Sequence, residues 1–87
     1  MAELRLPGNL TSLFPGTPRR VHAEGATVRD VLASLDAQVP GMADRLLESG
    51  PAIRGHIRVF VDGRQADLGT PVAPASVVDI VPAVSGG

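Results

Sequence analysis

VVDIVPAVSGG (residues 77–87) is the stretch that decides the fold of this 87-residue chain. Its first five residues, 77–81, are apolar on both faces of an extended segment except at Asp79. Strand side chains point alternately to opposite faces, so a segment that is apolar on both belongs in the interior of a sheet. Pro82 interrupts this pattern, and Gly86 and Gly87 stand at the end. We therefore predict a central strand at 77–81 and a flexible C-terminal tail at 82–87.

A second strand and a turn lie in HIRVFVDGRQADL (residues 56–68). Three aliphatic side chains alternate onto one face of the strand, those of Ile57, Val59 and Val61. The dipeptide Asp62-Gly63 that follows is typical of two-residue β-hairpin turns. The pattern therefore predicts a short return strand at 65–67.

Arg58 and Phe60 occupy the other face of this predicted strand. If a helix covers the aliphatic face, Phe60 lies on the open face of the sheet, where an exposed aromatic side chain suits the docking of a partner protein. The alternative is that Phe60 packs beneath the loop at 64–76. The sequence is compatible with both positions.

The clearest helix begins after Thr27, in ATVRDVLASLDAQVPG (residues 26–41). Thr27 is the predicted N-cap, and Asp30 follows three residues later, as the acid of a capping box does. Apolar residues recur with helical spacing at Val28, Val31, Leu32, Leu35 and Val39. Pro40-Gly41 is the predicted end of this helix, which should lay its apolar stripe on the sheet.

The N-terminal region predicts a hairpin with a long connection. Residues 3–6 alternate between polar and apolar, as in a half-buried strand, and a second short strand is predicted at 19–23. The connection contains several turn-forming residues, including Pro15-Gly16, and is therefore predicted to be a loop. Its apolar residues are expected to anchor it to the core: Leu10, Leu13 and Phe14.

These elements combine into a single α+β domain spanning residues 1–87. A short second helix is predicted in MADRLLESG (residues 42–50), with Met42 and Leu46 facing inward. The predicted order is strand, strand, helix, short helix, strand, short strand, strand. Its most economical arrangement is a mixed sheet of four to five strands with the main helix on one face.

Composition excludes several classes of function. The net charge is −1 and no basic run is clustered, which argues against nucleic acid as a partner. The chain contains no cysteine and two histidines, so we expect no disulfide, no catalytic cysteine and no metal site, and no Ser/His/Asp pattern stands out. No apolar run approaches the roughly 20 residues of a membrane helix. With no signal-peptide pattern either, we expect a cytoplasmic protein that does not associate with membranes.

All eight cationic side chains are arginine, and lysine is absent. Codon bias in a GC-rich genome is a sufficient explanation. The same absence means that the chain offers no side-chain amine for an isopeptide bond to itself or to a copy of itself.

Three segments, ATVRDVLASL (residues 26–35), IRVFVDGR (57–64) and above all VVDIVPAVSGG (77–87), resemble the MoaD/ThiS family of ubiquitin-like sulfur-carrier proteins. The resemblance covers the whole chain and implies the ubiquitin-like β-grasp fold. The long insertion after the main helix and the PAVSGG ending are most similar to carriers for the biosynthesis of cysteine or sulfur-containing secondary metabolites. One departure is Pro74-Ala75-Ser76, which stands where family members commonly have Gly-Asp, so a different turn is expected there.

The resemblance implies that Gly87 carries the chemistry. A separate ubiquitin-activating-type enzyme would adenylate its carboxylate with ATP, and a sulfur donor would then convert it to a thiocarboxylate. Gly86, Ser85, Val84 and Ala83 would enter the partner's active site with it, helped by the close approach that glycine permits. The chain is thus expected to be a protein cosubstrate and not an enzyme, with no bound cofactor.

The resemblance also implies three partners: the adenylating enzyme, a sulfur donor and a sulfur-accepting synthase. Arg58, Phe60 and Pro82 form the candidate docking surface for them. Three alternatives stay open from the sequence. One is the small subunit of molybdopterin synthase, another is a ubiquitin-like modifier whose Gly-Gly end is joined to target amines, and the third is a β-grasp interaction domain with an irrelevant tail.

Overall fold

The computed structural model describes residues 1–83. The strands of this part of the chain are β1 (Ala2–Arg5), β2 (Arg20–Ala23), β3 (Leu47–Glu48), β4 (Ala52–Ile53), β5 (Ile57–Val61), β6 (Arg64–Ala66) and β7 (Val77–Pro82). Its helices are α1 (Gly8–Thr11), α2 (Val28–Gln38) and α3 (Met42–Leu46). Along the chain the elements follow the order β1, α1, β2, α2, α3, β3, β4, β5, β6, β7.

The main sheet has five strands in the order β2–β1–β7–β5–β6, and β3 and β4 form a separate two-stranded ribbon. β7 is central, because it runs parallel to β1 on one side and antiparallel to β5 on the other. Val78 and Ile80 of β7 are buried. The interior position predicted from the two apolar faces of this strand is therefore confirmed.

β7 extends one residue beyond the predicted strand, because Pro82 pairs with Ile57 of β5. The prediction that Pro82 ends the strand and begins the tail is wrong on this point. The backbone N–H of Ala83 donates to the carbonyl oxygen of His56, which makes Ala83 and His56 a hydrogen-bonded pair. Bonded and non-bonded pairs alternate in an antiparallel ladder, so Pro82 occupies a non-bonded pair, where its missing N–H costs no hydrogen bond to β5.

The helix α2 has the predicted cap and the predicted buried stripe. The Thr27 side chain accepts a hydrogen bond from the Asp30 backbone N–H at 3.3 Å. Four residues of the stripe are buried: Val28, Val31, Leu32 and Leu35. The fifth, Val39, is half-buried at the C-cap, where its N–H donates to the carbonyl oxygen of Leu35 at 2.8 Å. α2 therefore covers the Ile57, Val59 and Val61 face of β5.

The short helix α3 begins at a residue with left-handed backbone, Gly41, whose φ is +94°. The Asp36 carboxylate of α2 accepts hydrogen bonds from the backbone N–H groups of Gly41 at 3.1 Å and Ala43 at 3.0 Å. Met42 and Leu46 are buried, as predicted. Asp36 thus fixes the start of α3 against the end of α2, a role that sequence spacing did not reveal.

The connection between β1 and β2 contains a helical turn, α1, where we predicted only a loop. Pro7 precedes it, and its carbonyl oxygen accepts from the N–H groups of Leu10 at 3.0 Å and Thr11 at 3.1 Å. Leu10 is buried, and Phe14 is half-buried against the core. The third predicted anchor, Leu13, is 52% exposed, so it does not serve the core.

The Asp62-Gly63 turn has positive φ at both positions, 50° and 86°, as the expected hairpin type requires. β6 follows at 64–66, one residue earlier than predicted. The departure at Pro74-Ala75-Ser76 is accommodated without positive φ, because Asp62 is the one non-glycine residue with positive φ within 1–83. Instead, the Ser76 backbone N–H donates to the carbonyl oxygen of Ala73, and the Ser76 hydroxyl oxygen accepts from the Ala73 N–H, each at 3.0 Å.

A mixed five-stranded sheet with α2 packed on one face is the ubiquitin-like β-grasp fold, as the sequence predicted. Side chains from α2, α3 and the covered face of the sheet form one hydrophobic cluster. None of the helices within residues 1–83 has the length and apolar character needed to cross a membrane.

Candidate functional site

The candidate site begins where β7 ends. At Ala83, the last described residue, the chain is still held against the start of β5 by the 2.8 Å hydrogen bond to His56. Pro82 is exposed and Ala83 is half-buried. The predicted sulfur-carrying residue Gly87 and its predicted companions Gly86, Ser85 and Val84 lie outside the described residues.

Two strands hold β7 over different lengths. β1 pairs with Val77–Asp79, and β5 pairs with β7 as far as Pro82. After Arg5 the chain of β1 turns away into α1, so the last residues of β7 have β5 as their paired neighbour in this part of the structure. The end of β7 is therefore anchored by one strand, which leaves its other side toward β1 without a ladder.

Phe60 lies on the sheet face opposite the core. Its backbone stands between Asp79 of β7 and Gln65 of β6, and its side chain is half-buried. Val77 and Val81 of β7 share this face and are also half-buried. Of the two positions that the sequence allowed for Phe60, the structure has the one on the open face, which we call the open sheet face.

Arg58 is exposed on the open sheet face, opposite Val81 in the register. Its Nη1 donates to the carbonyl oxygens of Gly55 at 2.9 Å and Ile57 at 3.2 Å. These bonds hold the guanidinium near the start of β5, on the same stretch that receives Ala83. Arg58 and Phe60 therefore share the open sheet face, but Pro82 does not join them: it pairs with Ile57 and, by the alternation of strand side chains, lies on the same side of the sheet as Val78 and Ile80. The prediction that all three form one docking surface is wrong for Pro82.

An exposed ion pair lies at the other side of the open sheet face. Arg5 Nε donates to Glu3 Oε2 at 2.8 Å. The hydrogen bond from Arg5 lowers the pKa of Glu3, and the same contact raises the pKa of Arg5. Exposed pairs of this kind contribute little to stability. Asp79 of β7 also lies on this face, between Arg5 of β1 and Phe60 of β5 in the register.

A groove opens beside the start of β5. We call it the exit groove; it has a volume of about 560 Å³ and is lined by Leu13, Phe14, Gly41, Asp44, Arg45, Arg54 and His56. Its residues come from the α1–β2 connection, from α3 and from the segment before β5. His56 therefore belongs both to the groove and to the contact that receives Ala83.

Arg45, Arg54 and His56 were not among the site residues predicted from the sequence. His56 is exposed and directly precedes β5. The exit groove depends on three segments that are distant in sequence, so no local spacing could have predicted it. The sequence does contain a residue of the groove that we considered, Leu13, but we predicted that it anchors the connection to the core.

Within residues 1–83 no group of three or more His, Cys, Asp or Glu side chains is placed to hold a metal ion. What these residues build is a pair of surfaces next to the end of the central strand. One is the open sheet face, where Phe60, Val77 and Val81 lie around the acidic Asp79, and the other is the exit groove with its two arginines. Such an arrangement can bind other proteins and present a chain end to them.

Comparison with known proteins relates the whole chain to one family. The ThiS family model matches residues 4–87. Small archaeal modifier protein 3 from Haloferax volcanii is 37% identical over 68 residues, which cover 74% of this chain and 73% of that protein.

Solved structures agree with the sequence comparison. The chain is similar to one in the Amycolatopsis orientalis BexX/CysO complex, with a TM-score of 0.89 and 25% identity over 100% of both chains. It is also similar to SAMP1 from Haloferax volcanii, with a TM-score of 0.77 and 31% identity over 99% of this chain and 98% of that one. On the match over residues 4–87 and the shared β-grasp fold, this chain belongs to the ThiS family.

Proposed function

We propose that this chain is a sulfur carrier that works through the carboxylate of Gly87. The observation that carries the proposal is the family match, which runs through the Gly-Gly end at residue 87. The fold supports it, because the central strand of the sheet leads directly toward that end and is held by β5 as far as Ala83. A carrier of this kind is a cosubstrate of other enzymes, and we propose no catalytic residue within it.

The chemistry begins with a poor electrophile. A terminal carboxylate has a pKa of about 3.3–3.7 and is ionised near neutral pH. Its oxygen attacks the α-phosphorus of ATP on a partner enzyme, which releases pyrophosphate and forms an acyl adenylate. A sulfur nucleophile then attacks the carbonyl carbon and displaces AMP, leaving a thiocarboxylate. Because ATP drives this reaction, we place it in the cytoplasm.

The two glycines suit this reaction because they lack a Cβ. A branched side chain at Gly86 or Gly87 would crowd the reacting carbonyl, whereas glycine lets the chain lie closely against an enzyme. Ser85, Val84 and Ala83 would enter the partner's active site behind them. The acceptor we favour is a synthase for cysteine or for a sulfur-containing secondary metabolite.

We propose the open sheet face as the docking surface for these partners. Phe60 supplies a half-buried aromatic side chain, and Arg58 stands next to the end of β7. Aromatic residues and arginine are enriched at protein–protein interfaces, and both occur here without being needed by the core. The similarity to a structure of a BexX/CysO complex supports the expectation of a protein partner.

A second candidate function is that of a ubiquitin-like modifier. It is favoured by the 37% identity to a protein named small archaeal modifier protein 3. The first step is the same adenylation. In the second step a lysine amine of a target protein, and not a sulfur nucleophile, would attack the acyl adenylate and displace AMP. The two functions therefore share Gly87 and differ in the nucleophile.

Reconstitution tests the proposed function. The chain is incubated with ATP, an adenylating enzyme of the ubiquitin-activating class from the same host, and sulfide as the sulfur source. We expect intact mass spectrometry to find one oxygen replaced by sulfur at the C-terminus. The matched control lacks Gly87 and should remain a carboxylate.

If the tail of the full chain also remains a carboxylate, the carrier function is wrong. If the product is instead a Gly-Gly branch on lysines of other proteins, the modifier function replaces it.

A further inference from the structure

We propose that the exit groove binds an acidic segment, carrying one apolar side chain, of the enzyme that activates the C-terminus. This inference rests on the proposed function and adds to it a second contact surface and the chemistry of what binds there. It concerns the cationic groove at the start of β5, which is separate from the open sheet face.

The exit groove differs in charge from the rest of the protein. The chain as a whole has a net charge of −1. The exit groove nevertheless contains two arginines, Arg45 and Arg54, against a single carboxylate, that of Asp44. Within residues 1–83 the one ion pair is Arg5–Glu3, so neither arginine of the groove has a carboxylate partner there. The groove is therefore a local excess of positive charge on a slightly acidic protein.

The Arg54 guanidinium is held in place by hydrogen bonds that do not neutralise its charge. Its Nε and Nη2 both donate to the backbone carbonyl oxygen of Asp44, at 3.0 and 2.8 Å. A carbonyl oxygen fixes the guanidinium but carries no net charge. An arginine that is already ordered loses less conformational freedom on binding, and its remaining N–H groups match the geometry of a carboxylate.

One wall of the exit groove is apolar and is formed by Leu13 and Phe14. Leu13 is 52% exposed although it lies beside the core residue Leu10, and Phe14 is half-buried next to it. Phe14 approaches Gly41 closely, since a Cβ at Gly41 would stand 3.4 Å from Phe14 Cε1. An apolar wall facing arginines suits a peptide with an apolar and an acidic side chain better than it suits a free phosphate.

The exit groove lies next to the residue that receives the end of β7. His56 lines the groove, and its backbone carbonyl oxygen accepts the hydrogen bond from the Ala83 N–H. An enzyme that holds the chain after Ala83 therefore has its own surface close to the groove. The activating enzyme is the first protein that must hold the C-terminus, so it is the occupant we assign.

Charge reversal tests the proposal. The variants are Arg45→Glu, Arg54→Glu and their combination, and the matched control is Arg29→Glu, an exposed arginine in the first turn of α2. Pyrophosphate release by the host's adenylating enzyme is measured with this chain as the varied substrate. We expect the double variant to raise KM about tenfold with kcat unchanged, because binding is weakened and the tail is intact. The control should leave both constants unchanged.

Arg45→Glu protects the test against misfolding, because the structure shows no hydrogen bond from the Arg45 side chain within the described residues. It should raise KM by itself, and the wild-type KM should rise with salt more steeply than that of the double variant. Equal KM values for the double variant and Arg29→Glu would overturn the groove proposal alone. No pyrophosphate release with wild type would overturn the proposed function, and the groove proposal with it.

Discussion

Asp62 joins the hairpin after β5 to the start of the central strand. Its carboxylate accepts from the Ser76 hydroxyl and from the Val77 backbone N–H, both at 2.9 Å. The hydrogen bond from Val77, followed by that from Ser76, lowers the pKa of Asp62. Ser76 is buried, so the network also satisfies a polar group that would otherwise be costly. A single side chain thus fixes where β7 begins.

We predict that Asp62→Asn lowers the melting temperature at neutral pH. A group whose pKa is lowered by folding stabilises the protein above its unfolded pKa, about 3.9, and this stabilisation is lost as the pH falls through the folded value. The difference between the variant and wild type should therefore be complete at neutral pH and disappear in acid. Thermal unfolding followed by circular dichroism at several pH values measures it.

The control for this experiment is Asp44→Asn, because Asp44 is exposed and its carboxylate accepts no hydrogen bond from the described residues. A difference between Asp62→Asn and wild type that stays constant down to strongly acidic pH would contradict the assigned role of the charge.

At the scale of elements, α3 depends on a side chain of the preceding helix. The first N–H groups of any helix lack partners within it and need a cap. Gly41 cannot supply one, and Asp36 does so from the last turns of α2. The orientation of α3, and with it the cationic side of the exit groove, is therefore set by a contact between two helices.

We predict that Asp36→Ala lowers the free energy of unfolding by roughly 1–2 kcal/mol, the usual cost of losing a helix cap. Chemical denaturation measures the change. Glu24→Ala is the control, since Glu24 is exposed and its carboxylate makes no hydrogen bond within residues 1–83. An equal effect of the two substitutions would mean that Asp36 does not cap α3.

The elements that sequence patterns predicted are those whose signals are local. The stripe and N-cap of α2, the alternation of β5 and the turn at Asp62-Gly63 all follow from neighbouring residues. The turn α1, the Asp36 cap and the exit groove follow from contacts between distant segments, which no local pattern encodes. Pro82 was misplaced for a related reason, since its tolerance in β7 depends on the hydrogen-bond phase of the pairing with β5.

In the molecule as a whole, the folded core and the predicted active residue Gly87 belong to different parts of the chain. Within residues 1–83, the buried apolar residues lie between Ala2 and Ile80, and together they form one core. Two surfaces, the open sheet face and the exit groove, lie beside the end of β7.

We predict that deleting Gly87 leaves the melting temperature of the domain unchanged while it abolishes sulfur loading. The core and the sheet of residues 1–83 supply the stability, and chain ends contribute little. Thermal unfolding and intact mass spectrometry on the same sample measure the two properties. Normal sulfur loading by the truncated chain would contradict the role of Gly87.

The mass of the native protein tests most directly whether its Gly87 carboxylate is converted to a thiocarboxylate. The chain is purified from its own host without a C-terminal tag, and its intact mass and C-terminal peptide are measured. We predict a population that ends at Gly87 with one carboxylate oxygen replaced by sulfur, and that grows when the sulfur-accepting enzyme is removed. A C-terminus that is only ever a carboxylate, under conditions where its activating enzyme is active, would contradict this prediction.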